Sequence, residues 1–398
     1  MPGGDKINKT TQTRARILIA ALDWGLGHTT RCLPIIKAFQ ELGCEILIAG
    51  NSNQAQLLRA EFPRLKLIPL KGYGLRYAKY GWLTRWKILW QIPKILTSIK
   101  AENTWLNNLL GQEKIDVVIS DSRFGLHHPS VFSIFITHQL RIKIPFSKWL
   151  EIRLQKWNYR LIEKFDECWI PDYKENTNLA GTLSHPGILP GISTKYIGPL
   201  SRFVTPLKQS SPITDLVFIL SGPEPQRTIF EKLITNQLKN FDGTAIVLRG
   251  LPKETNEVAG FQNISFINHL PAEELSRVLI NAKMVISRAG YSTIMDLIAL
   301  RKKSIYIPTP GQTEQEYLAQ YLMEKKFSLC FQQEKFSLQN ALEAAARFNY
   351  SDMSHFEMNG FRSTLEALVE RFNNASLSIE HCPDPNPDRD RDRDRDDH

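Results

Sequence analysis

Cysteine is scarce: the five in the chain (Cys32, Cys44, Cys168, Cys330, Cys382) are scattered, with no CxxC pair and no regular spacing. That excludes a recognisable zinc site or disulfide framework and leaves them as reduced packing residues. Long apolar runs are also missing. None approaches the roughly 20 residues needed to cross a bilayer, so no membrane span is predicted. The opening MPGGDKINKTTQTRAR is basic but has no apolar core or small-residue cleavage site, and the expectation is an uncleaved cytoplasmic protein. No DxD-type acidic pair stands in a loop suited to a metal, and no complete GxGxxG fingerprint follows a strand. Metal-assisted chemistry and dinucleotide binding are both disfavoured.

What is present is a globular composition, 42% hydrophobic and 23% charged, in 398 residues. A chain of this length exceeds the size at which one core usually stops growing, so two domains are expected. The net charge of +9 is unevenly spread. The low-complexity tail DPNPDRDRDRDRDDH lowers it, while sixteen Lys/Arg face six Asp/Glu between Lys71 and Phe165. That region is the basic face.

Short β-branched runs alternate with amphipathic segments, the pattern of parallel βαβ units. RILIA (16–20), EILIAG (45–50), KLIPL (66–70), KIDVVIS (114–120) and VFSIFIT (131–137) read as strands of a first doubly wound domain. TTRCLPIIKAFQELG reads as a helix closed by Gly43. The alternation resumes with DLVFILSG, TAIVLRG, NISFI, KMVIS and KSIYIP, with helices between them. The expected fold class is therefore α/β: two Rossmann-like doubly wound domains facing across a cleft, with ligands at the carboxyl ends of both sheets. The predicted boundaries are 14–200 and 215–375, joined by a Ser/Thr/Pro-rich linker over 201–214 and followed by a disordered tail over 376–398.

Three strand-to-helix loops carry the candidate chemistry. In the first, Asp23-Trp24-Gly25-Leu26-Gly27-His28, Gly25 and Gly27 let the backbone approach a ligand, and His28 and Arg31 stand where a dinucleotide fingerprint has its last glycine. A neutral His28 can accept a proton from an attacking hydroxyl, although the position also suits a helix-capping histidine. The second loop is Ser287-Arg288-Ala289-Gly290-Tyr291-Ser292-Thr293. Its small residues at a helix start suit a diphosphate, with Arg288 adding charge and Asp296, one turn further in, accepting from ribose hydroxyls. The third, Ser221-Gly222-Pro223-Glu224-Pro225-Gln226-Arg227, repeats the arrangement, with Ser221, Gly222 and Arg227 as candidates and Leu270 added from the loop after NISFI. Gln315 and Glu316, after the strand KSIYIP, are placed to reach a sugar.

SRAGYSTIMD followed by IPTPGQTEQEYLAQYL resembles the donor-binding signature of GT-B glycosyltransferases related to the peptidoglycan lipid-linked N-acetylglucosaminyltransferase, the glycosyltransferase family 28 type. GLGHTTRCLP resembles their N-terminal Gly-rich loop, and Thr137-His138-Gln139 their His-containing acceptor loop. The resemblance implies a nucleotide-sugar donor, UDP-linked, on the second domain and an acceptor, lipid-linked or another glycan, on the first. It puts Asp296 on the donor ribose and Gln315 and Glu316 where a Gln-Gln pair holds the sugar. Glu316 departs from that pair.

No cofactor is implied beyond the substrate. Charge building on the leaving diphosphate would be met by helix N-termini and cationic side chains, without a metal. His28 is the expected base, with Asp121 and His138 as acceptor-side candidates; Asp121 also suits a helix cap. The basic-aromatic stretches RYAKYGWLTRWKILWQIPKILTSIK and RIKIPFSKWLEIRLQKWNYRLIEK suit an anionic membrane surface, or ordinary helix packing with Lys/Arg on the wet side. Nucleic acid is not an expected partner, since no recognised module accompanies the charge. The rival functions are a nucleotide-sugar hydrolase, because GLGH and Arg31-Cys32-Leu33 also resemble UDP-sugar hydrolases of nonulosonate synthesis, and a non-catalytic sugar-nucleotide sensor.

Overall fold

The computed structural model describes residues 14–379 apart from 75–90, 145–146, 176, 204–212, 223, 253 and 257. The first domain runs β1 (Arg16–Ala21), α1 (Gly27–Glu41), β2 (Glu45–Gly50), α2 (Ser52–Glu61), β3 (Lys66–Pro69), α3 (Ile92–Leu110), β4 (Val117–Asp121), β5 (Phe132–Ile136), α4 (Lys148–Ile162), β6 (Glu167–Ile170) and β7 (Ser193–Tyr196). All neighbouring strands pair in parallel, in the order β3-β2-β1-β4-β5-β6-β7. β4 is buried at every position, as a central strand covered on both faces by helices must be.

The second domain runs β8 (Thr214–Ile219), α5 (Gln226–Leu238), β9 (Ala245–Leu248), β10 (Ile264–Ile267), α6 (Ala272–Ile280), β11 (Ala282–Ser287), α7 (Tyr291–Ala299), β12 (Ser304–Tyr306), α8 (Thr313–Glu324), β13 (Leu329–Cys330), α9 (Leu338–Arg347) and α10 (Phe361–Ile379). Its sheet order, β10-β9-β8-β11-β12-β13, is again wholly parallel. In each sheet the order reverses once, between β1 and β4 and between β8 and β11. Loops leaving the carboxyl ends of those strands diverge and open a crevice there. The register Ala21↔Asp121 brings the loop after β1 and the end of β4 side by side.

The two domains meet along α1 and α7. Ile35, Ile36 and Phe39 of α1 are fully buried in one apolar cluster with Ile294 and Ile298 of α7. Full burial of such a side chain contributes about 1.5–3 kcal/mol, against about 0.5–1.5 kcal/mol net for a neutral hydrogen bond. Packing, more than the polar contacts across the seam, therefore fixes how the domains face each other. The closing helix crosses back from the second domain to the first. Phe361, Leu365, Leu368 and Val369 of α10 join the same cluster, Arg362 pairs with Glu41 at 2.8 Å, and Arg371 lies over the Phe132 ring at 4.3 Å. α10 runs on to residue 379 and packs against α1 of the first domain. At the linker, Ser201, Arg202 and Phe203 lie against α7, and the rest of 204–212 is outside the described residues.

Candidate active site

The loop after β1 turns through Gly25, whose φ of +88° is a left-handed conformation that glycine adopts without strain. α1 then begins with no side chain capping its first turn. α7, on the other domain, also starts uncapped, after Gly290. The two helix starts face each other: the Ser292 hydroxyl donates to the Gly27 carbonyl at 2.7 Å. Both lie on the cleft.

Behind His28 is a buried polar network. His28 Nδ1 lies 2.8 Å from Asp121 Oδ1, and the imidazole keeps 19% of its surface exposed while Asp121 has none. Arg31, one turn along α1, pairs with both Asp121 oxygens through Nε and Nη2 and reaches His28 Nδ1 at 2.9 Å and His138 Nδ1 at 3.0 Å. A guanidinium can only donate, so His138 Nδ1 accepts and its proton sits on Nε2. That N–H points to Glu314 Oε1, 2.7 Å away at the start of α8 in the second domain. His138 also stacks on Tyr291, ring centroids 4.1 Å apart, and the Tyr291 hydroxyl donates to the Pro171 carbonyl at 2.8 Å.

The electrostatics follow from this geometry. Burial pushes the Asp121 carboxyl up, but Arg31 and then His28 outweigh it and hold it well below the usual carboxylate range. Arg31 is desolvated too, yet the carboxylate keeps it charged. Burial lowers His138 in spite of Glu314, so the neutral imidazole is favoured. Burial also raises Glu314, but the N–H it accepts from His138, with the Arg31 charge beyond, outweighs this and holds it below its ordinary value.

Several donor-site candidates are engaged by neighbouring groups of the protein. Arg288 is fully buried and turned inward, over the Phe230 ring at 4.1 Å, donating to the carbonyls of Ile307 (3.0 Å), Pro308 (3.2 Å) and Gln226 (3.2 Å). Burial pulls it down to about 9. It ties three loops together rather than presenting charge to a diphosphate. Arg227 is neutralised by Glu224 and Glu231, each at 2.6 Å. Asp296 is 4% exposed and faces the linker, accepting from Ser201 Oγ at 2.8 Å and Arg202 Nε at 2.9 Å. A carboxylate so engaged staples the linker to α7.

The remaining candidates stand as follows. Gln315 and Glu316 fold back over their own loop, their Oε1 atoms accepting from the amides of Thr309 and Gly311 at 2.9 Å each. Ala289 is a core residue, and Leu270 packs half-buried against the interdomain cluster. Gly222, at φ +101°, lets the loop after β8 approach Thr309, whose Oγ1 is buried with no partner among the described residues. Ser221 belongs to that loop, and Gly290 and Thr293 to the α7 start. Beside Asp23, Gly25 and Leu26, a cavity of about 360 Å³ continues across to Gly250 and Leu251 of the second domain. A larger hollow of 620 Å³ between α5 and α9 shares none of these residues.

Sequence reasoning missed Glu314, Tyr291 and Thr309, and gave Arg31 no role. For Arg31 a signal exists, since three residues after His28 on a helix is the same face. For Glu314 there is none, because its partner lies 176 residues away.

Residues 248–368 match the glycosyltransferase family 28 C-terminal domain. An uncharacterised glycosyltransferase of Methanosarcina acetivorans is 25% identical, covering 78% of this chain and 84% of its own length. A UDP-N-acetylglucosamine–N-acetylmuramyl-(pentapeptide) pyrophosphoryl-undecaprenol N-acetylglucosamine transferase of Oceanobacillus iheyensis is 22% identical, covering 79% and 85%. Among solved structures, the kitacinnamycin glycotransferase superposes with a TM-score of 0.58 at 13% identity, over 92% of this chain and 98% of that one. The glycosyltransferase SnogD from Streptomyces nogalater gives 0.55 at 15% identity, over 89% and 99%. Both show the shared two-domain fold. The chain has the GT-B fold, and its residues 248–368 match the glycosyltransferase family 28 C-terminal domain, with similarity along most of the chain to the peptidoglycan lipid-linked N-acetylglucosaminyltransferases.

Proposed function

We propose that the protein transfers a hexosyl group from a UDP-linked donor, held on the second domain, to a hydroxyl of a lipid-linked acceptor met on the first. The observation that carries this reading is the His28–Asp121 pair at the cleft. With Nδ1 donating to Asp121, Nε2 is left to accept the acceptor's proton as its oxygen attacks the anomeric carbon and the bond to the diphosphate breaks. Negative charge then builds on the leaving diphosphate. Backbone amides at the uncapped start of α7, with the buried Thr309 hydroxyl opposite Gly222, are suited to receive it without a metal. The Oceanobacillus relative is named for a UDP-sugar donor and a lipid-linked acceptor, which supports the same classes here.

A membrane-surface acceptor also suits α4. Its exposed side holds Trp149, 65% exposed, and Ile152, 51% exposed, with Arg153 4.8 Å above the Trp149 ring and Lys148, Lys156 and Arg160 around them. No helix among the described residues is long and apolar enough to cross a membrane, and contact through α4 would be at the membrane surface. Release of UDP from a panel of UDP-hexoses, with and without membrane lipid extract, tests the proposal. Turnover that needs extract and glycosylates a lipid supports it. Equal UDP release without extract would mean water is the acceptor and would refute it.

A further inference from the structure

Asp121 is wholly buried, and a carboxylate in that position needs a counter-charge. Two neighbours can supply it: the Arg31 guanidinium, or His28 by protonating. An imidazolium locked in an ion pair cannot take a proton from an acceptor. We propose that Arg31 is a positioning residue that keeps His28 a base, by pairing with both oxygens of Asp121 and so removing the need for His28 to carry the positive charge. This rests on the reading of His28 as the proton acceptor.

The other groups around His28 do not replace Arg31. From α1 itself come Arg31 and Cys32, whose thiol donates to Asp121 at 3.7 Å and whose burial pushes its own titration up, so it stays neutral. From the loop after β4 comes Ser122, an uncharged hydroxyl 3.3 Å from Arg31 Nη2. From the loop after β5 comes His138, held neutral by burial with Nδ1 accepting from Arg31. From α8 comes Glu314, a second negative charge, bonded to His138. Arg31 is thus the cation that the cluster's carboxylates share. Removing it would leave two carboxylates, and a proton on His28 would become the cheapest remedy.

The guanidinium also bears on the tautomer. Arg31 Nη2 and Asp121 Oδ1 both lie within hydrogen-bond distance of His28 Nδ1. With the fork of Arg31 directed at the carboxylate, Asp121 keeps an oxygen to accept from Nδ1, and Nε2 is bare toward the cleft.

The test is imidazole ¹⁵N NMR of the full chain, with the His28 signals assigned from His28→Asn and followed over pH in wild type, Arg31→Lys, Arg31→Gln and Arg31→Gln/Asp121→Asn. The same series is assayed for the pH dependence of kcat/KM. In Arg31→Gln, protonation of His28 should move up by about 1–3 pH units, the range that adding or removing one nearby charge produces, and the acid limb of the rate profile should move with it. Arg31→Lys should stay near wild type. The double variant, with the buried charge removed along with its partner, should bring the titration back. A His28 titration unchanged in Arg31→Gln, or shifted equally in the double variant, overturns the inference. If Arg31→Gln does not fold, the double variant is compared with wild type, and a His28 titration displaced by more than about 1 pH unit, although both charges of the pair are gone, overturns the inference. The NMR readout needs no substrate, so absence of sugar transfer would count against the functional reading and leave this one intact.

Discussion

His28 has the exposure a base needs and Asp121 has the burial an orienting group needs. Replacing His28 with Ala should lower kcat/KM by about 10²–10⁴, the usual contribution of a positioned base, with UDP affinity unchanged; steady-state kinetics beside UDP titration calorimetry would check this. Asp121→Asn should cost about 3–5 kcal/mol, because it strands the Arg31 charge in the interior. The wild-type Asp121 has its folded-state titration held below its unfolded one. Its stabilising contribution is therefore full above the ordinary carboxylate range and is lost as pH falls below it. Urea midpoints measured on acidification should fall more steeply for wild type than for Asp121→Asn. His28, Asp121 and His138 could be singled out as candidates because each lies at or just after the end of a strand, where an α/β sheet presents its ligands. The partners of Arg288 and Asp296 were not legible for a physical reason: each is a charge beside a small-residue loop, and whether such a charge faces the cleft or the interior depends on packing partners far away in sequence. For Asp296 those partners are Ser201 and Arg202.

Among elements, α7 does two jobs. Its first turn faces the cleft, and its second holds the linker through Asp296 and its apolar seam through Ile294 and Ile298. Asp296→Ala should therefore lower the melting temperature, by loss of buried hydrogen bonds worth about 1–3 kcal/mol once their partners are unsatisfied, while leaving the rise in melting temperature caused by UDP unchanged. Arg202→Ala should do the same, and a smaller UDP-induced rise in Asp296→Ala alone would restore the carboxylate to the donor site. The strands of both sheet centres were readable because a parallel sheet buried on both faces demands continuous β-branched runs, as in Ile17–Ala21 and Val117–Ser120. One margin of each sheet, β6–β7 in the first and β13 in the second, was not. β6 reads Glu-Cys-Trp-Ile and β7 Ser-Thr-Lys-Tyr, and β13 is two residues long, so none has the run of apolar residues that marks a strand.

For the molecule as a whole, the two domains are held by an apolar seam and by α10, which anchors the second domain to the first. Leu365→Ala, at a fully buried position of α10, should cost about 2–5 kcal/mol, seen as a lower denaturant midpoint with no change in the slope. The basic-aromatic face predicted over 71–165 is only partly described: Trp82, Trp86 and Trp90 lie outside the described residues, whereas α4 shows Trp149 and Ile152 exposed beside Arg153. Co-sedimentation with vesicles rich in anionic lipid should weaken in Trp149→Glu/Ile152→Glu and fade with salt, and binding equal to wild type would remove α4 from the membrane account.

The central claim is that the second domain holds a nucleotide diphosphate at the start of α7, across the cleft from His28. A crystal structure with UDP tests it directly. The account predicts diphosphate oxygens within hydrogen-bond distance of the backbone amides from Gly290 to Ser292 and of Thr309 Oγ1, with the β-phosphate facing His28. Density for the nucleotide away from that helix start, or a diphosphate turned from the cleft, would contradict it.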